Sequence, residues 1–268
     1  MKDAGSVVSL WRYPVKGMLG EEQNAVEVTT RGLAGDRGYA LLDRSTGKIA
    51  SPKNPAKWEK LFACRAALDG TVARITLPGG AVVTSGQAAR DLVLSEALGR
   101  EVKLLATAPQ DPMLEEYWPD IEGLAHRQIV TDEAMAGAAP PGTFFDCATT
   151  HLLTTATLDR FAELYPPGRF EIPRFRPNIV IQPASEKGFV ENSWVGRTVA
   201  LGEEVHLRVI GACARCVMTA LAQGDLPADS GILRTAALHN RVETLPSVGV
   251  YAVVERGGLL RRGDTVRL

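Results

Sequence analysis

Cys213 and Cys216, two of the four cysteines in the chain, stand three residues apart with Arg215 between them, at the end of an apolar run. A guanidinium close to a thiol lowers its pKa and favours the thiolate, the form that ligates soft metals or attacks sulfur. One such pair does not complete a zinc site, because no second pair of this spacing and no His-x3-His accompanies it. Nor does it open a helix after the first strand of a βαβ unit, as a thioredoxin-like motif does. The spacing alone equally describes two ordinary buried thiols, since free cysteine is among the most buried residue types.

Further residues could hold an anion. The apolar run His151-Leu-Leu-Thr154 passes straight into Thr155–Tyr165, where Leu158, Phe161, Ala162 and Tyr165 recur at helical spacing. A helix start offers unpaired N–H groups and about half a positive charge, so Thr154 and Thr155 suit a phosphate there; either threonine serves equally as a plain N-cap. Arg174-Phe-Arg-Pro-Asn178 sets two guanidiniums and an amide at the mouth of an apolar run, where charge costs desolvation unless something negative meets it. Carboxylates of the chain itself would also meet that need. Arg37 in Gly35-Asp-Arg-Gly38 and Lys16 after Tyr13-Pro-Val are open to the same two readings. His126, His151, His206 and His239 show no metal-ligand spacing and read as structural or surface groups. No Gly-x-Ser-x-Gly elbow, Walker loop or dinucleotide fingerprint occurs.

These residues must be positioned mostly by strands. Ser6–Tyr13, Ala25–Thr30, Tyr39–Asp43, Val72–Leu77 and Ala81–Thr84 are short β-rich runs, the last two joined by Pro78-Gly79-Gly80, whose glycines tolerate a hairpin turn. Ser85 predicts an N-cap for a helix over Gln87–Leu98 with Gly99 as its stop. Strand character resumes over Glu101–Leu105. From Thr107 to Thr143 periodicity is lost and prolines gather, as in an irregular connection. Val205–Ile210, Val248–Glu255 and Thr265–Leu268 are further strands, with a helix at about Gly231–His239. The expected fold class is α+β, mostly antiparallel β: a β-barrel-like domain over 1–110, an irregular Pro/Gly-rich connection over 111–145, and a second barrel with a few helices over 146–268.

Composition narrows the function classes. The 268 residues are 45% hydrophobic and 23% charged, a globular balance able to bury a core. Thirty basic against thirty-one acidic side chains leave a formal net charge of -1, too little to recruit nucleic acid or an anionic membrane. An anion must therefore be held by local groups. No signal-peptide stretch opens the chain and no run of about eighteen apolar residues occurs. The expected location is cytoplasmic, where reducing conditions keep thiols free.

Taken in order, Tyr13-Pro-Val-Lys16, Gly32-Leu-Ala-Gly-Asp-Arg37, His151-Leu-Leu-Thr-Thr155, Arg174-Phe-Arg-Pro-Asn178, Trp194-Val-Gly196, Ala214-Arg-Cys216 and Gly263-Asp264 resemble the MOSC family. That family is named for the C-terminal domain of molybdenum cofactor sulfurase. Here it is preceded by the N-terminal β-barrel domain that accompanies it in the amidoxime-reducing-component proteins. The resemblance implies a cleft between two β units holding the molybdopterin form of the cofactor. Cys216 would be the catalytic position and the thiolate ligand of molybdenum, with Cys213 beside it. Lys16, Arg37, Thr154, Thr155, Arg174, Arg176 and Asn178 would hold the pterin and its phosphate. Two departures stand out: Gly17 replaces the family's usual serine after the lysine, and Glu191-Asn192 stands where an acidic pair commonly precedes the tryptophan.

For the amidoxime-reducing relatives the resemblance implies a molybdenum-dependent oxidoreductase that reduces N-hydroxylated small molecules by two electrons, with oxygen leaving as water. No ferredoxin-type cysteine spacing is present, and no haem, flavin or Fe-S centre is expected in this chain. A separate electron-donor redox protein, of ferredoxin, cytochrome b5 or flavin reductase type, is therefore implied. The alternative is a sulfur carrier, with a persulfide on Cys216 passed on in molybdenum cofactor or metal-sulfur maturation. Such a carrier needs the nucleophilic cysteine but not the full phosphate-gripping set. A scaffold protein without redox activity is a third reading.

Overall fold

The computed structural model describes residues 3–121, 128–135 and 137–268; His126 lies outside them. Seven strands, Asp3–Arg12, Thr150–Thr154, Ile179–Pro183, Thr198–Leu201, Val205–Ala214, Leu245–Arg256 and Thr265–Arg267, close into a barrel. Thr150–Thr154 and Ile179–Pro183 pair in parallel, and the helix Thr155–Leu164 opens the crossover a parallel pair requires. The other barrel pairings are antiparallel. Alternation aims the strands: Val205, Leu207 and Val209 are buried while His206 and Arg208 face outward. The interior packs such side chains around Trp194, at roughly 1.5–3 kcal/mol for each fully buried Val, Leu or Ile.

The first strand lies between Ile179–Pro183 and Thr265–Arg267, with Val7 opposite Ile181 and Ser6 opposite Thr265. Reciprocally, Gly258–Arg261 pairs with Ala25–Thr29. Residues between these contacts build a second core from Val15, Met18, Leu41, Leu61, Ile75 and Leu94. Around it lie the meander Arg65–Asp69, Val72–Thr76, Val82–Thr84 and the pair Ala40–Asp43 with Val102–Leu105. The fold is α+β with mostly antiparallel strands and few helices. Among the described residues, no helix is long and apolar enough to cross a membrane.

Two local expectations change. The helix runs Arg90–Leu98 rather than from Gln87. Ser85 does not cap it, because its backbone N–H donates to the Ala73 carbonyl and its hydroxyl accepts from the Ala73 N–H, extending the hairpin. Within 111–145, read as an irregular connection, Met113–Trp118 and Ile129–Ala134 pair as antiparallel strands. This hairpin is tied to the preceding loop by Tyr117 N–H on the Lys53 carbonyl and Ile49 N–H on the Met113 carbonyl.

Candidate functional site

Two adjoining cavities, of about 70 and 120 Å³, share Arg37, Asp146, His151, Arg176, Met218 and Tyr251. Lys16 and Asn178 line the first and Cys216 the second. The buried Asp36 organises the first. It accepts from the Tyr13 N–H at 2.7 Å, from Asn178 Nδ2 at 2.9 Å and from the Arg37 guanidinium. Asn178 Oδ1 in turn accepts from the His151 N–H at 3.1 Å, fixing the mouth of one barrel strand to the start of another. Arg37 and Arg176, both in left-handed backbone conformation, stack on the Tyr13 ring at 4.5 and 4.3 Å. Arg176 also donates to the Met18 carbonyl at 2.6 Å. Burial and the neighbouring Arg37 pull its pKa down to about 10.

Lys16 is buried, donating to the Phe144 carbonyl and the Asp146 carboxylate. Burial lowers its pKa, and Asp146 opposes the shift. Burial alone would raise Asp146, but Lys16 and Lys53 hold its carboxyl well below the usual range. Gly17, where the family has serine, sits at φ +81°, and a Cβ there would lie 2.8 Å from Pro52 Cδ. The backbone has room only for glycine.

At the thiols, Arg215 Nη1 donates to Cys213 Sγ at 2.8 Å and Nη2 to the Phe175 carbonyl at 3.0 Å. Burial would push the Cys213 thiol up, yet Arg215, His151 and Tyr251 outweigh it and hold the pKa at about 6. Cys216 behaves oppositely: burial, then Glu116, push its pKa up to about 11. The guanidinium expected to activate a thiol therefore acts on Cys213, and Cys216 must be deprotonated by whatever it binds.

Three of the expected anion-binding residues are not brought to these cavities. Thr154 is completely buried and caps the helix that follows. Its hydroxyl donates to Glu191 Oε2 at 2.6 Å, as does that of Thr157 at 2.7 Å, so an internal carboxylate takes the place expected for a phosphate. Thr155 faces a separate surface groove with Asp159 and Lys187. Arg174 donates to the carbonyls of Arg169, Thr219, Leu221 and Pro227 at 2.7–3.2 Å, bracing the segment after Cys216.

The structure adds residues that spacing did not reveal. Lys53, Glu116 and Trp118 join Cys216 in the second cavity, brought there by the hairpin. His151 lines both cavities, with Nε2 2.9 Å from the Val248 carbonyl; Gly249 makes room, since a Cβ there would fall 2.3 Å from that nitrogen. Asp146 follows Phe144-Phe145 just before a buried strand, which was the available signal for it.

A family model described as the MOSC N-terminal beta barrel domain matches residues 4–112, and one described as the MOSC domain matches residues 140–267. Mitochondrial amidoxime reducing component 2 of Rattus norvegicus is 23% identical over 99% of this chain and 84% of its own length. Mitochondrial amidoxime-reducing component 1 of Mus musculus is 23% identical over 100% and 83%. Among solved structures, the YUAD protein from Bacillus subtilis aligns over 98% of this chain and 94% of its own, at TM-score 0.47 and 10% identity. With both domain models matched in order and together spanning most of the sequence, the chain belongs to the MOSC family, in the group that carries the N-terminal beta barrel domain.

Proposed function

We propose that the chain binds the molybdopterin form of the molybdenum cofactor through the Cys216 thiolate and reduces N-hydroxylated small molecules. The observation that carries this reading is the convergence of Lys16, Arg37, Lys53 and Arg176 on the cavities that also expose Cys216, a basic set suited to a phosphate-bearing ligand. Arg215, which lines the second cavity, has its Nε buried without a hydrogen-bond partner among the described residues, a polar atom that a ligand could satisfy. Among the described residues, no three His, Cys, Asp or Glu side chains gather as a metal site. A metal at Cys216 would therefore depend on ligands it brings, which suits one carried by an organic dithiolene.

Lys16, Arg37, Arg176 and Asn178 would hold the phosphate and pterin. Thr154, Thr155 and Arg174 would act from outside, fixing the strand end and the segment after Cys216. The cofactor, when bound, supplies the two-electron chemistry. The chain's own tasks are to orient the substrate, limit water beside Met218 and Trp118, and hold protons at Lys53. The balance is R–NH–OH plus two electrons and two protons giving R–NH2 and water, with electrons delivered by a separate one-electron carrier protein. Both cavities are smaller than the roughly 300 Å³ of a typical ligand pocket. Within them Asp146, whose side chain is 34% exposed, is ion-paired to Lys16 and Lys53, the internal carboxylate that a phosphate would have to replace to engage those lysines.

The test is metal analysis, with reduction of an N-hydroxylated probe, on protein made in a host that synthesises the cofactor. Stoichiometric molybdenum and activity, both lost in Cys216→Ala, are expected. Metal-free protein carrying cyanide-labile sulfur on Cys216 would overturn the reading in favour of a sulfur carrier.

A further inference from the structure

We infer that Glu116 and Trp118 choose the substrate, favouring N-hydroxylated compounds whose carbon next to the hydroxylated nitrogen carries an NH2 donor over those that carry a carbonyl oxygen at that position. The inference rests on the reductase reading above. In the strand Met113–Trp118, Glu116 and Trp118 are two residues apart and share a face; both line the cavity of Cys216. Glu115, on the other face, is spent on Asn54 at 2.8 Å and Lys57 at 2.7 Å.

Glu116 is 6% exposed, and its Oε2 accepts from Lys53 Nζ at 2.8 Å. A carboxylate has about four acceptor positions, so one ammonium leaves capacity for a donor in the cavity. Lys53 is committed to Glu116 and, at 3.7 Å, to Asp146. The Trp118 indole is held by its N–H on Thr131 Oγ1 at 2.7 Å, and Thr131 donates to Glu133 at 2.6 Å. With Phe175, Met218 and Leu245 it forms an apolar lining against which a flat group can lie. An NH2 on the carbon beside the hydroxylated nitrogen would meet an acceptor at Glu116, whereas a carbonyl oxygen at the same position would set acceptor against acceptor, which a closed site disfavours.

Benzamidoxime, PhC(NH2)=NOH, and benzhydroxamic acid, PhC(=O)NHOH, share the phenyl ring and the N-hydroxyl and differ on the carbon between them in NH2 against carbonyl oxygen, with the hydroxylated nitrogen carrying a hydrogen only in the second. Each consumes two electrons and two protons, giving benzamidine or benzamide plus water. Two equivalents of reduced methyl viologen, a one-electron donor, supply the electrons. Rates per bound molybdenum are compared in the wild type, Glu116→Gln and Trp118→Ala. Glu116→Gln should lower kcat/KM for benzamidoxime about 10- to 100-fold more than for benzhydroxamic acid, any loss common to both reporting the broken ion pair with Lys53. Trp118→Ala should raise KM for both with little change in kcat. Equal effects of Glu116→Gln on the two compounds, no effect on either, or loss of its molybdenum would each overturn the inference while leaving the reductase reading intact. Molybdenum-loaded wild type that reduces neither compound would refute the reductase reading itself, and the inference with it.

Discussion

Replacing Arg176 by methionine should abolish stabilisation of the cofactor-free protein by pyrophosphate while changing its intrinsic stability little. Held down from its ordinary 12.5 to about 10, the charged form of Arg176 costs roughly 3 kcal/mol relative to water. Against that cost stand one charge-assisted hydrogen bond to the Met18 carbonyl, worth about 1.5–3 kcal/mol, and stacking on Tyr13 at 4.3 Å, worth about 1–2 kcal/mol. Methionine keeps the apolar stem, so these contributions cancel to within about 2 kcal/mol. A phosphate group in the first cavity would change the balance, because Arg176, Arg37 and Lys16 all line it. Pyrophosphate at about one hundred times its Kd adds about 2.7 kcal/mol, or about 5–10 °C in a chain of this size. Thermal scans of cofactor-free protein across a pyrophosphate titration read this directly. A wild type that does not shift, or an Arg176→Met variant that shifts equally, refutes the reasoning.

Thr154→Val should cost about 1–3 kcal/mol in urea unfolding, because it takes a hydrogen bond from the buried Glu191 carboxylate. It should leave the pyrophosphate shift intact; a lost shift would return the helix start to the anion site. For Cys213, burial raises the thiol, but Arg215, His151 and Tyr251 hold it at about 6 against an ordinary 9.0. The stability this contributes is fully present above pH 9 and is lost as pH falls through 6. The urea midpoint should therefore rise between pH 6 and 9, and Cys213→Ser should flatten the profile; a flat wild-type profile would contradict it.

Strands whose alternation is clean were legible from sequence, as Val205–Ile210 shows, and so was the helix at Thr155 with its apolar spacing. The continuation of that strand to Ala214 was not, because bulges between Val209 and Gly211 and between Ala212 and Ala214 break the period of two. The Met113–Trp118 strand was hidden for a different reason. Its inward positions are Leu114 and Glu116, and a charge at a core-facing position erases the apolar alternation that marks a strand. Glu116 is buried because Lys53 meets it from 63 residues away, a pairing only the fold discloses. Arg37, Arg176 and Asn178 were found as candidates from local charge alone. Thr154 drew attention as a helix start and Arg174 as a charge, but Glu191 and the carbonyls of Thr219, Leu221 and Pro227 that meet them come from distant segments. Short-range reading registers that a polar group needs a partner, not whether that partner is the chain or a ligand.

The placement of Asp3–Arg12 between Ile179–Pro183 and Thr265–Arg267 has a kinetic meaning. Asp3–Arg12 is made well before both strands that flank it, so the barrel closes only once Thr265–Arg267 is available. Contacts of such long sequence separation fold slowly, and until closure the apolar side chains Val7 and Leu10 stay open to solvent. Nascent chains that lack Thr265–Arg267 are thus the forms most exposed to aggregation, and Asp3–Arg12 and Thr265–Arg267 act as one cooperative unit.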